Sequence, residues 1–136
     1  TNGDGTVETP EEPKPTQAMK ADTAQNLMLM MESVVEDHLG TAGAAKVDGY
    51  RVGVKTGTAD IVVNGQHGIV STTAGLLPVE APRLAISVVL YNPTVAYISS
   101  DSSAPLFGEV AQASVRNLGI PASTTPATLF PTTPTN

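Results

Sequence analysis

Between Gly49 and Asp60 the chain reads GYRVGVKTGTAD, an apolar, β-branched run that ends in Lys55, Thr56, Gly57 and Thr58. These four residue types suit the holding of an anionic acyl substrate. Side chains alternate along a strand, so Thr56 and Thr58 share a face about 6–7 Å apart. Two hydroxyls at that spacing can hold a carboxylate. Lys55 adds a positive charge that raises local anion affinity and supports the ionised form of a neighbouring hydroxyl network. Gly57 removes a side chain where a substrate backbone would lie, so an extended peptide can dock by adding to the sheet edge. The N–H of Thr58 then faces the acyl oxygen as one half of an oxyanion hole. No nucleophile is evident in the same stretch. A phosphate-cradling loop is excluded, because such loops carry Gly immediately before the Lys and Val54 stands there.

The elements that must position this tetrapeptide are bounded by composition. The chain has 136 residues, enough for one domain with a real core. It has two Phe, three Tyr and no Trp, so that core rests on Val, Leu, Ile, Ala and Met. The net charge is −6, with seven Lys and Arg scattered singly. No basic stripe exists for phosphates, and nucleic acid is not an expected partner. No apolar run approaches the roughly 20 residues of a membrane span. The absence of cysteine excludes disulfides and thiolate zinc sites.

Residues 1–19 are polar, acidic and punctuated by Pro10, Pro13 and Pro15, and read as a turn and surface segment. Asp22 and Gln25 form a capping-box pattern for a helix at about 22–38. Its expected apolar face is Ala24, Leu27, Met28, Met31, Val34 and Val35, and Gly40 supplies the stop. One short helical turn is expected around Ala44 and Ala45. Strands follow at about 50–58, 67–77 and 83–91. The last of them is almost wholly apolar, as for a strand buried on both faces. Asn64-Gly65 is a hairpin dipeptide, and both connections are too short for parallel crossovers, so the strands form an antiparallel meander. A last helix at about 103–118 takes its cap from Asp101 to Ser103 and has Pro105 in its first turn. Leu106, Phe107, Val110, Ala111, Ser114 and Leu118 make its face, and Gly119 ends it. Residues 120–136 are rich in Thr and Pro without periodicity and read as a disordered or extended tail. A three-stranded sheet with few aromatics is marginal alone, so further strands and helices are expected from elsewhere.

Lys-Thr-Gly is the third sequence motif of penicillin-binding proteins and serine β-lactamases. The residues around it extend the match. Asp22-Thr23-Ala24, Met31 to Val35, Gly49 to Val52, Lys55 to Ala59, Thr73-Ala74-Gly75 and Ser103 to Phe107 together resemble the C-terminal half of a class B penicillin-binding protein. The division-specific, FtsI-type members are the most similar, over roughly residues 17–120. The resemblance implies an α/β fold of the α+β kind, an antiparallel sheet covered by helices. It implies a serine-type DD-transpeptidase that cross-links peptidoglycan stem peptides through an acyl-enzyme and binds β-lactams. By position, Lys55 becomes the third-motif lysine, Thr56 and Thr58 hold the carboxylate, Gly57 allows close approach, and the Thr58 N–H serves the oxyanion hole. The intact protein would act on the extracytoplasmic face of the bacterial cytoplasmic membrane, with divisome partners and an anchor not in this chain. No cofactor and no metal are implied.

The chain departs from the family pattern in one respect. None of its nine serines (33, 71, 87, 99, 100, 102, 103, 114 and 123) has Lys three residues on or Asn two residues on. The expectation is a C-terminal portion whose nucleophile comes from a missing N-terminal half, as part of the same protein or as a second chain. Alone it should not acylate. Three alternatives share the motif: a non-catalytic module that binds extended peptides at a sheet edge, a β-lactam sensor, and a β-lactamase-like protein. Asn2, Asp4, Gly5 and Glu11 match part of an EF-hand loop. Its first ligand would precede Thr1, and the prolines spoil the exiting helix, so an acidic turn fits better. Glu8, Glu11 and Glu12 read as a solvated face. His38 suits a helix C-terminus and His67 a strand start, both structural. Tyr91 to Ser103 matches a loop that lines the active-site rim in the family, without chemistry of its own.

Overall fold

The computed structural model describes residues 14–94 and 96–130, with Gly3 and Gly5. Asn2, Asp4, Glu8, Glu11 and Glu12, named above for the acidic turn, lie outside the described residues.

The order is helix α1 (Ala21–Glu36), a 3-10 turn (Gly43–Ala45), strands β1 (Gly53–Val63), β2 (Gln66–Leu77) and β3 (Leu84–Tyr91), and helix α2 (Ser103–Asn117). The sheet is antiparallel in the order β1-β2-β3, which leaves β1 and β3 at its edges. Val63 pairs with Gln66, so the hairpin loop is Asn64-Gly65. Both have positive φ, 52° and 76°, as a primed two-residue turn requires. This hairpin carries β1 past its expected end at 58, to Val63.

The register sorts the side chains onto two faces. Val54, Thr56 and Thr58 share one with Ser71, Thr73, Gly75 and Leu77 of β2 and with Leu84, Ile86, Val88 and Leu90 of β3. α2 packs on this face. Phe107 is fully buried there among Val52, Val54, Leu77, Ala104, Ala111 and Val115. Gly75 makes room for it: a Cβ at that position would lie 3.0 Å from the Phe107 ring and would collide with the Gly53 carbonyl. Burying such a ring contributes about 1.5–3 kcal/mol.

Four expectations are corrected. β3 is not buried on both faces: Ala85, Ser87, Val89 and Tyr91 are exposed, because α2 covers one face and no described element covers the whole of the other. Asp22 does not cap α1. It lies in the first turn, and Lys20 precedes the helix without a side-chain cap. The buried stripe of α1 is Glu32, Ser33 and Val35, with Leu27 exposed. In α2 the buried stripe is Ala104, Phe107, Gly108, Ala111 and Val115, leaving Val110 and Leu118 exposed. Gly40 is needed for space, since a Cβ there would collide with the Val34 carbonyl.

Residues 120–130 have no regular structure, but they are tied down. The Ser123 N–H donates to the Gly49 carbonyl, the Arg51 N–H to the Ser123 hydroxyl, and the Phe130 N–H to the Ser33 hydroxyl. Tyr50 Oη donates to the Ile120 carbonyl.

Candidate functional site

Lys55 to Thr58 lie on β1, an edge strand. Lys55 is exposed on the open sheet face, and its Nζ donates to the Thr56 carbonyl. Among the described residues no carboxylate forms an ion pair with it. Its charge is therefore uncompensated by them beside the strand edge. Thr56 and Thr58 face the opposite side, and at an edge strand both sides are reachable from the flank.

The Gly57–Thr58 peptide is the most constrained part of the tetrapeptide. The Gly57 carbonyl accepts a hydrogen bond from Thr72 Oγ1 of β2 at 3.0 Å and a second from Ser99 Oγ of the loop before α2. Ser99 is buried. Its backbone N–H donates to Thr58 Oγ1 at 3.3 Å, and the two hydroxyls lie 2.8 Å apart. A serine hydroxyl has one proton. With that proton on the Gly57 carbonyl, Thr58 Oγ1 is the donor to Ser99. No described residue hydrogen-bonds the Thr56 hydroxyl, which stays half-buried and able to meet a ligand. Gly57 also has a reason internal to the fold: a Cβ there would lie 2.7 Å from Thr72 Oγ1.

Behind the tetrapeptide a buried cluster of hydroxyls fixes the start of α2. Ser103 Oγ lies 2.9 Å from Ser71 Oγ and 2.8 Å from Thr73 Oγ1, and Ser71 reaches Ser102 at 2.7 Å. The Ala104 N–H donates to the Ser99 carbonyl, which ties the helix start to the Ser99 loop. At the other end of the strand, Arg51 makes a two-pronged pair with the fully buried Glu32, both contacts at 2.7 Å. Glu80 stands 4.0 Å from Arg51 Nε, and Arg51 also donates to Thr125 Oγ1. The hydrogen bonds to Glu32, ahead of the attraction of both carboxylates, hold the guanidinium above the ordinary arginine range despite partial desolvation.

The four residues expected to act together are thus contiguous on one edge strand. Sequence reasoning missed two of the side chains that hold them. Thr72 was within reach, since counting outward from Asn64-Gly65 pairs it with Gly57. Ser99 carries no local signal, because it meets Thr58 from 41 positions away across a loop. The Arg51–Glu32 pair was also missed, as Glu32 is a single carboxylate inside an apolar run and its partner lies 19 positions on. His38 and His67 are exposed, and His38 lies 3.1 Å from the Asp37 carboxylate.

Residues 3–112 match the family described as penicillin binding protein transpeptidase domain. A probable peptidoglycan D,D-transpeptidase PenA of Neisseria flavescens is 38% identical over 112 residues, covering 79% of this chain and 28% of the relative. A peptidoglycan D,D-transpeptidase FtsI of Buchnera aphidicola is 34% identical over 103 residues, covering 71% of this chain and 17% of the relative. The crystal structure of a peptidoglycan synthetase from Bifidobacterium adolescentis superposes with a TM-score of 0.74 at 29% identity, over 93% of this chain and 23% of that one. The chain therefore spans less than a third of each of these proteins.

Proposed function

Because this chain belongs to the penicillin binding protein transpeptidase family, we propose that it supplies the substrate-holding wall of a peptidoglycan D,D-transpeptidase. The nucleophilic serine comes from a part of the protein outside these 136 residues. The observation that carries this reading is an exposed lysine on an edge strand, without an ion-pair partner among the described residues, followed by Thr-Gly-Thr with its central peptide held from two sides.

A stem peptide, or a β-lactam in its place, adds along the edge of β1. Its carboxylate meets the Thr56 hydroxyl and the Thr58 hydroxyl, which turns its proton from Ser99 to the ligand. The Lys55 ammonium attracts the anion and stabilises charge at the neighbouring serine. The serine oxygen attacks the substrate carbonyl carbon, and the carbonyl oxygen takes the negative charge, stabilised by the Thr58 N–H. Collapse breaks the carbonyl–nitrogen bond as the proton given up by the serine hydroxyl passes to that nitrogen; the terminal residue of the stem peptide leaves as a free amine, or the β-lactam ring opens, and an acyl-serine remains. An acceptor amine from a second stem peptide then releases it as a cross-link. The intact protein works outside the cytoplasmic membrane with cell-division partners. Among the described residues no helix is long and apolar enough to cross a membrane.

Labelling of the intact transpeptidase by a fluorescent penicillin tests the reading. Lys55→Ala is expected to slow acylation about 100- to 1,000-fold, the range seen when one transition-state stabiliser is removed. Unchanged acylation sinks it. Slow hydrolysis of the adduct supports a transpeptidase, and rapid hydrolysis a β-lactamase. The free edge of β1 also fits a non-catalytic peptide-binding module, which absence of any adduct on the intact protein would favour.

A further inference from the structure

The Thr58 N–H is read above as an oxyanion donor, and the following rests on that reading. The N–H belongs to the same peptide unit as the Gly57 carbonyl. That peptide is trans, so its C=O and N–H are coplanar and point in opposite directions. Whatever holds the oxygen aims the N–H. The sheet ladder sets it first, since Gly57 pairs with Thr72 across β1 and β2, and two hydroxyls add to that hold, Thr72 Oγ1 from the adjacent strand and Ser99 Oγ from the loop before α2. A carbonyl that accepts two hydrogen bonds also polarises its own amide, which makes the N–H a stronger donor.

We propose that Thr72 and Ser99 are positioning residues that aim and strengthen the Thr58 N–H by gripping the carbonyl of its own peptide. Neither touches the reacting atoms. Thr72 is set by the hairpin register that pairs it with Gly57. Ser99 is set by α2, through the Ala104 N–H and the Ser71–Ser103–Thr73 hydroxyl cluster. The oxyanion donor is thereby referenced to a strand on one side and to a helix on the other. Ser99 has a second contact, the Thr58 hydroxyl, whose effect on carboxylate binding must be separated from its effect on the peptide.

The test uses the intact transpeptidase and benzylpenicillin. The acylation rate at saturation is measured apart from the half-saturating concentration, and the acyl-enzyme carbonyl stretch is recorded by infrared difference spectroscopy. Ser99→Ala and Thr72→Val, which preserve shape, are expected to slow saturated acylation about 3- to 10-fold, less than loss of a whole oxyanion donor. They should also move the acyl carbonyl band toward its position in water. Thr72→Ser should restore both. In a Thr58→Val background, which keeps the N–H and loses the hydroxyl, the Ser99→Ala loss should persist. Persistence assigns Ser99 to the peptide; disappearance assigns it to the hydroxyl and overturns the proposal. Folded variants with unchanged rate and band overturn it as well, as does a change confined to the half-saturating concentration. If Thr72→Val does not fold, Thr72→Ala and Ser99→Gly give the same readouts. Failure of the underlying reading looks different: the wild-type protein then forms no adduct, or its acyl carbonyl already absorbs as in water.

Discussion

Gly57 illustrates how one position answers two demands. Its lack of a side chain leaves the strand open to a ligand, and it also leaves room for the Thr72 hydroxyl 2.7 Å from where a Cβ would be. A contact that close forces the Thr72 side chain to turn away and give up the Gly57 carbonyl. Gly57→Ala is therefore expected to cost about 1–3 kcal/mol, as other overpacked sites do, read as a lower melting temperature of the intact transpeptidase. Gly57→Ala with Thr72→Ala should recover much of that loss. No recovery places the clash elsewhere. At this scale the sequence was legible where chemistry sits on neighbouring residues. Lys55, Thr56, Gly57 and Thr58 announce themselves together. Ser99 does not, because a hydroxyl in an aperiodic loop acquires meaning only from what folding brings against it.

Among the elements, the strands and the hairpin followed from β-branched runs and Asn64-Gly65. Helix ends and faces followed less well. Glu32 is polar in sequence and fully buried in the fold, because Arg51 reaches it with two hydrogen bonds. Periodicity cannot foresee a partner 19 positions on. This pair joins α1 to the residue that leads into β1, and through Thr125 to the C-terminal segment. Arg51→Met should cost about 3–5 kcal/mol by leaving a buried carboxylate alone, and adding Glu32→Met should recover part of it. Chemical denaturation measures both; a single variant as stable as wild type would show that the pair is dispensable. The raised arginine pKa gives stability that is complete below the unfolded-state value and is lost only as pH rises beyond it. Arg51 therefore adds no pH dependence in the neutral range.

For the whole molecule, the sheet keeps one face open. Val89 and Tyr91 are exposed there, with Ala74, Ala85 and Ser87 between the strands. Alternation along β3 was hidden in sequence, since both faces carry apolar residues. The isolated 136-residue chain is expected to bind a hydrophobic dye and to form no penicillin adduct by intact-mass measurement. An adduct on any of its nine serines would overturn the assignment of the nucleophile to another part of the protein. The meander also sets an order of events in time. β1 and β2 are joined by two residues, and hairpins close in roughly 1–10 μs. The Thr72 grip on Gly57 spans 15 positions and arrives with that hairpin, whereas the Ser99 grip spans 42 and must wait for α2 to dock. On the reading proposed above, the full acylation rate of the intact protein should therefore lag behind sheet formation during refolding, its last few-fold arriving only when α2 docks.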